Sequence, residues 1–259
     1  MRAWGAPLLT LSLVIVAWQL VVVGFRVPEY LLPAPSGIAG AMAAEWRYLA
    51  LHSAVTLYEI LWGFVLAALV GVPLAMLIVY SPVIERSLYP LLVATQAVPK
   101  IAVAPLLIFW AGLGLFPKIL VAFAISFFPI VIDTVVGLRS VEPELLYLAR
   151  SMGAGERKIF LKIRFPSALP NVFAGLKVSV TLATVGAIVG EFIQADRGLG
   201  YALQQATSVI NTQLAFATIF LLAVMGIALF VAVEALEHRL TPWSAARRAE
   251  ALARTPGTT

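Results

Sequence analysis

Of the residue types that most often move protons or hold metals, this chain offers few. Its histidines are His52 and His238, its aspartates are Asp133 and Asp196, and it has no cysteine. Both histidines fall outside the apolar spans delimited below, and no HExxH, no pair of aspartates within one span and no serine–histidine arrangement appears. An intramembrane enzyme is therefore a weak reading. Without cysteine there is no disulfide framework, no thiolate metal site and no cysteine nucleophile, and the redox compartment is not legible. No GxxxxGK[ST] phosphate loop and no Gly-Lys pair occurs, so any ATP-driven work belongs to another polypeptide or domain.

Two other patterns carry more. The first is a set of polar residues in or beside apolar stretches: Glu59, Lys100, Asp133, Glu191, Thr181 and Thr184. A charge inside a bilayer is costly and is a functional candidate by default. Lys100, in a stretch interrupted by Pro90, Pro99 and Pro105, either pairs with Asp133 or Glu191 or stands as a water-facing structural charge. Glu59 and Glu191 act as gate or solute contacts, or simply solvate an interface. Thr181 and Thr184 line a pathway or bond back to helix carbonyls. The second pattern is a charged island over 144–170. Leu145, Leu148 and Met152 stand at helical spacing, and Gly153 with Gly155 can supply a left-handed helix end. A second helix over 156–163 puts Ile159, Phe160 and Ile163 on one face and Arg157, Lys158 and Lys162 on the other, with Pro166 stopping it. The result is a basic helix-turn-helix, whose plainer reading is a solvated loop.

These patterns must be positioned by helices in a membrane. The chain is 61% hydrophobic and 12% charged, with a mean hydropathy of +0.97, whereas a soluble domain is about 25% charged. Apolar segments of spanning length occur over 7–25, 53–80, 88–113, 119–137, 171–193 and 214–236, predicting an all-α membrane protein with six transmembrane helices. The third span is expected to be broken or strongly kinked by its prolines. Segment 7–25 is longer than a signal-peptide core and is read as a retained span, a cleavable signal being the competing view. A short interfacial helix is expected over 41–51, where Trp46 and Tyr48 suit the headgroup region. Gly63 with Gly71, and Gly186 with Gly190, allow close helix approach, the latter pair at a homodimer seam or within the subunit. The organisation is then 1–50 first span and loop, 51–240 transmembrane core with the charged loop at 138–170, and 241–259 a flexible tail.

A net charge of +5 and a pI near 9.7 would suit nucleic acid, but Lys and Arg cluster at span ends rather than on an aromatic-interleaved patch, so no nucleic-acid partner is expected. With six spans, Arg2, Arg86, Arg139, Arg150, Arg157, Lys158, Lys162, Arg164, Arg239, Arg247, Arg248 and Arg254 share one side, against Arg26, Arg47, Lys118 and Arg197 on the other. The positive-inside rule makes both termini and the charged island cytoplasmic.

The island closely resembles the EAA loop of ABC importer permeases: Glu-Ala-Ala, three residues, Gly, nine residues, then Ile-x-Leu-Pro. Ala149, Arg150, Ser151, Gly153, Ile163 and Pro166 match it by position, Phe165 stands where the family has Leu, and Tyr147 stands where it has Glu, with Glu144 one turn earlier a possible substitute. The stretches VPKIAVAPLLIFWAGLG, FFPIVIDTVVGLRSV, LARSMGAG, ALPNVFAGLK and GEFIQADRGLGY resemble permeases of the nitrate/sulfonate/taurine type, a group that also imports pyrimidine precursors of thiamine and riboflavin-like compounds. TLYEILWGF with Glu59 and VGEF with Glu191 lean toward those heterocycle importers.

The resemblance implies a type I importer (MetI-like) permease fold in a bacterial plasma membrane and a second permease copy around a central pathway. It also implies an extracytoplasmic solute-binding protein and a cytosolic ATPase dimer that uses ATP and Mg. No metal and no cofactor bound by this chain itself is implied. It makes the island a coupling helix docked on the ATPase, with Arg150 a docking charge or merely solvated, and Leu148, Met152 and Phe160 an apolar contact face. Gly198-Leu199-Gly200, read from sequence as a flexible external turn, resembles the family's GLG loop near the outer gate. A secondary transporter is the alternative function; it would show internal repeats, and none is convincing.

Overall fold

Residues 5–243 are described by the computed structural model, the side chains of 6–8 excepted, and every regular element among them is helical. In chain order these are α1 (Gly5–Gly24), α2 (Pro35–Ala44), α3 (Trp46–Tyr80), α4 (Pro82–Thr95), α5 (Lys100–Ala111), α6 (Leu115–Arg139), α7 (Pro143–Ser151) and α8 (Glu156–Ile159). A π-helical turn (Phe160–Arg164) follows, and then α9 (Phe165–Ile193), α10 (Leu199–Ser208) and α11 (Thr212–Leu240). Arg2, Arg247, Arg248 and Arg254, and the expected tail beyond 243, lie outside the described residues.

Among the described residues, four helical runs are long and apolar enough to cross a bilayer: Trp46–Tyr80, Leu115–Arg139, Glu156–Ile193 and Thr212–Leu240. Even the shortest, with 25 residues, reaches about 37 Å, beyond the roughly 30 Å hydrocarbon core. The count rises to five when α4 and α5, bent by 99° at their junction, are taken as one broken span. The expected break in the third segment thus falls over 96–99 and ends at Pro99, the N-cap of α5. Helix α1 adds a further apolar helix of 20 residues.

Two expectations about helix ends are corrected. The interfacial helix expected over 41–51 does not form as one piece: α2 ends at Ala44 and α3 begins at Trp46. The break is one residue wide, because the Glu45 N–H still bonds the Ala41 oxygen at 2.9 Å and the Glu45 oxygen accepts from Leu49 at 2.9 Å. The early start of α3 also carries His52 into a spanning helix, where the sequence reading had left it outside. Pro166, expected to stop a helix, lies inside a helical run that continues from Glu156 to Ile193. The π turn immediately before it, in which the Phe165 N–H reaches back to Phe160, shifts the ladder where proline has no N–H to contribute.

The chain divides into two compact units, Met1–Tyr58 with Glu191–Met225 and Glu59–Gly190 with Gly226–Thr259. In the first, Gln19 and Ser36 tie α1 to α2 through a side-chain bond of 3.0 Å and a backbone bond of 3.1 Å, and Trp18 packs against Phe216 with ring centroids 6.0 Å apart. In the second, α6 is the buried axis. Glycines let neighbours reach its backbone: a Cβ at Gly63 on α3 would stand 2.5 Å from the Ala122 Cβ, and one at Gly186 on α9 would stand 2.7 Å from the Ala122 Cα. Gly71 approaches Ile130, and Gly190 approaches Lys118. This settles one open alternative, since Gly186 and Gly190 serve packing within the subunit. Around them Ala75, Ile78, Val131 and Val135 form one apolar cluster and Leu138, Ala168 and Val172 another.

Candidate functional site

The charged island folds as a short helix, a tight reversal and a longer helix. Pro143 opens α7 with its fixed φ, Glu144 stands in its first turn and Arg150 in its last, each matching the helix dipole. Gly153 adopts φ +76, the left-handed region that L side chains avoid. The Ala154 N–H bonds the Ala149 oxygen at 3.0 Å and the Gly153 N–H bonds the Arg150 oxygen at 2.9 Å, the paired closure of a Schellman motif. Gly155, the other candidate for the reversal, has an ordinary φ of −68.

Arg150 donates through Nε to Glu156 Oε1 at 2.8 Å, and both side chains are exposed. Ser151 bonds back to the Leu148 oxygen at 2.8 Å, and Ala149 is buried. Leu145, Leu148 and Met152 are exposed together with Tyr147, Met152 at 78%, so α7 presents apolar surface that its own chain leaves uncovered. Phe160, expected to share that face, packs edge-on to Tyr80 at 6.2 Å. Ile163, Phe165 and Pro166 are half-buried at the base of α9.

The membrane charges of the larger unit are mostly paired. Glu59 and Lys118 form an ion pair at 2.6 Å with side chains 0% and 3% exposed. Lys118 had been expected in water; it reaches the interior because α6 begins at Leu115 and carries Lys118 into its buried face. Lys177 pairs with Glu237 at 2.7 Å. Lys100, at the start of α5, joins no ion pair among the described residues and places its Nζ 4.2 Å from the Phe128 ring centroid. Of the alternatives open to it, the pairing with Asp133 does not form; Asp133 is half-buried and stands against Gly175. Thr181 and Thr184 bond back to the Lys177 and Val180 carbonyls at 3.2 and 3.1 Å.

In the smaller unit Glu191 closes a second polar cluster. The Gly198-Leu199-Gly200 turn opens α10, and its three consecutive N–H groups are all captured by side chains. Gly198 donates to His52 Nδ1 at 2.8 Å, Leu199 to Thr56 Oγ1 at 2.7 Å, and Gly200 to Glu191 Oε2 at 2.5 Å. The Thr56 hydroxyl in turn donates to Glu191 Oε1 at 2.6 Å. A buried carboxylate at a helix N-terminus is stabilised by the first-turn N–H groups and the dipole. The turn is thus pinned, not flexible, and His52 is read as the neutral tautomer with Nδ1 accepting. A Cβ at Gly198 would collide with the Glu191 carboxylate. His52, Thr56, Lys118, Lys177 and Glu237 were not singled out as site residues from sequence. The usable signals were the i, i+4 spacing of His52 and Thr56 and the charges flanking apolar windows. Among the described residues no group of three or more His, Cys, Asp or Glu is placed to hold a metal.

Comparison with known proteins adds a family. Residues 63–242 match the family profile described as "Binding-protein-dependent transport system inner membrane component". The chain is 36% identical over 238 residues to the formylaminopyrimidine transport permease protein ThiX of Halalkalibacterium halodurans, covering 92% of this chain and 95% of that protein. It is 38% identical over 245 residues to the riboflavin transport system permease protein RibX of Chloroflexus aurantiacus, covering 94% and 91%. With the taurine transport system permease protein TauC of Escherichia coli the identity is 29% over 241 residues, covering 90% and 88%. Among solved structures, an inward-facing form of the MetNI methionine ABC transporter superposes with a TM-score of 0.59 at 21% identity, over 76% of this chain and 94% of that one. That likeness speaks for the fold.

Proposed function

Because this chain belongs to the family of inner membrane components of binding-protein-dependent transport systems, and is a multi-pass permease subunit of an ABC importer, we propose that its α7–α8 segment is the point at which a cytosolic ATPase drives it. The observation that carries this is the exposed apolar face of Leu145, Leu148 and Met152 on a helix locked by the Schellman closure at Gly153. An apolar face held rigid is suited to sit in a partner's cleft. From Glu156 the chain is helical without interruption to Ile193, so displacement of the segment is passed along α9 as a rod rather than absorbed by a loop. Ala149, Arg150, Ser151, Gly153, Ile163, Phe165 and Pro166 are the residues assigned to this coupling, with the Arg150–Glu156 pair bracing the reversal.

The full reading has six spans, both termini in the cytoplasm, a second permease copy, an extracytoplasmic solute-binding protein, and ATP hydrolysis with Mg in a separate subunit. The solute is a small organic molecule. Relatives named for formylaminopyrimidine and riboflavin are 36% and 38% identical, against 29% for the taurine permease, which favours a heterocycle over a sulfonate-type anion. Lys100 over Phe128 and the half-buried Asp133 are the pathway candidates. Glu59, Thr181 and Thr184 are further candidates in the same unit, and Glu191 is the candidate in the smaller unit.

The test is co-purification with the ATPase encoded beside this chain, followed by ATP hydrolysis in lipid. Wild type captures the ATPase; Gly153→Asp loses capture or uncouples hydrolysis while the permease still runs as a folded species. Capture and hydrolysis unchanged by Gly153→Asp would reject the assignment.

A further inference from the structure

A cavity of about 380 Å³ lies in the larger unit, lined by Val79, Tyr80, Glu156, Phe160 and Arg164. Tyr80 is the last residue of α3, and Glu156, Phe160 and Arg164 belong to the turns that precede α9. The cavity therefore sits where two spanning helices end. Its two aromatic rings meet edge to face, and tyrosine at this depth suits the headgroup layer.

Its wall holds one charge of each sign, and its surround is basic. Glu156 is the one carboxylate in the wall and is engaged by Arg150 at 2.8 Å. Arg164 is half-buried in the same wall; it forms no close ion pair among the described residues, and the Glu156 carboxylate interacts with its charge at longer range. Around it Arg157, Lys158 and Lys162 are exposed on the same short run. The wide π turn that carries Arg164 is an irregularity often found at functional sites. A half-buried guanidinium that shares its one nearby carboxylate with Arg150, among three further exposed cations and facing an open cavity at a membrane boundary, is suited to a phosphate group, which its planar fork can grip through two parallel hydrogen bonds.

We propose that this cavity binds the headgroup phosphate of an anionic phospholipid, with Arg164 as its anchor and Tyr80 and Phe160 as its walls. Lipid is favoured over a soluble phosphate because the cavity adjoins membrane-facing surface: Leu77 and Tyr80 on α3 are exposed, and basic pockets beside spanning helices recognise anionic headgroups. The bound lipid would tether the base of α9 to the leaflet. The inference rests on α3 and α9 crossing the membrane, and not on the docking of an ATPase.

Native mass spectrometry of the full-length chain in detergent tests it, with phosphatidylglycerol, phosphatidylcholine or inorganic phosphate added. Wild type retains phosphatidylglycerol about tenfold more strongly than phosphatidylcholine, and Arg164→Gln loses that preference, a change of about 1.4 kcal/mol. Arg164→Lys keeps the charge but not the fork and falls between them; it also serves if Arg164→Gln fails to fold. Arg197→Gln, at an exposed cation elsewhere, changes nothing. The proposal is overturned if both Arg164 variants keep the wild-type preference. It is equally overturned if millimolar inorganic phosphate displaces the lipid, which would make this a soluble-anion site. Loss of ATPase capture in Arg164→Gln with lipid retention intact would reassign the surface to the partner protein.

Discussion

At the scale of single residues, the polar groups of this membrane protein divide into those that are satisfied in pairs and those that are not. The Glu59–Lys118 pair is fully buried, so removing one partner takes the counter-charge from the other in a medium that solvates charge poorly. Lys118→Met is expected to destabilise the chain by about 3–5 kcal/mol, and Lys118→Met with Glu59→Leu to recover most of it, because an apolar pair of similar volume carries no desolvation penalty. Thermal unfolding in nanodiscs reads both; equal loss in single and double variants would mean that the ion pair is not what stabilises this contact. In the smaller unit Thr56 serves Leu199 and Glu191 at once. Thr56→Val conserves shape but leaves a buried N–H and a carboxylate oxygen short of a partner, at a cost of about 1–3 kcal/mol. The same unfolding measurement checks it. Both glutamates were legible as notable, being charges in apolar stretches, but their partners lie 59 and 135 positions away in the chain, and pattern reading at helical spacing does not reach that far.

At the scale of elements, α7 and its reversal were the most legible feature. The spacing of Leu145, Leu148 and Met152 and the glycine after them specify a short amphipathic helix and its end, because capping is a local matter of φ and of carbonyls seeking donors. Gly153→Ala forces a Cβ into the left-handed region and costs about 1 kcal/mol. With the apolar face retained, it is expected to weaken ATPase stimulation more than ATPase capture. Leu148→Glu has the opposite signature, with lost capture on an unchanged fold; a pull-down beside a hydrolysis assay separates the two. The element misjudged was α9. Pro166 looks like a stop on propensity alone; the π turn ahead of it, in which the Phe165 N–H reaches back to Phe160, lets the helix run on, and beyond it Ala168 and Val172 pack against Leu138.

At the scale of the whole molecule, the proposed orientation can be read directly, since the chain has no cysteine of its own. Single cysteines at Glu144 and Ser208, both exposed, are expected to react from opposite sides of the membrane with an impermeant maleimide: Glu144→Cys only after the inner face is opened, and Ser208→Cys in intact cells. Labelling of both from one side would overturn the six-span topology.

Composition, apolar run lengths and the distribution of Lys and Arg by themselves determined that this is a helical membrane protein, and the spacing around Gly153 pointed to its permease family. Those properties depend on transfer free energies and on backbone conformation within one turn, both of which are written locally in the chain. Tertiary structure alone decided which charges are neutralised, that Gly186 and Gly190 serve the approach of α9 to α6, and that the Gly198–Gly200 turn is held by His52, Thr56 and Glu191. Such outcomes depend on which distant side chains arrive within 3 Å of one another. Burial then makes each meeting count, because an unpaired polar group has no water to fall back on.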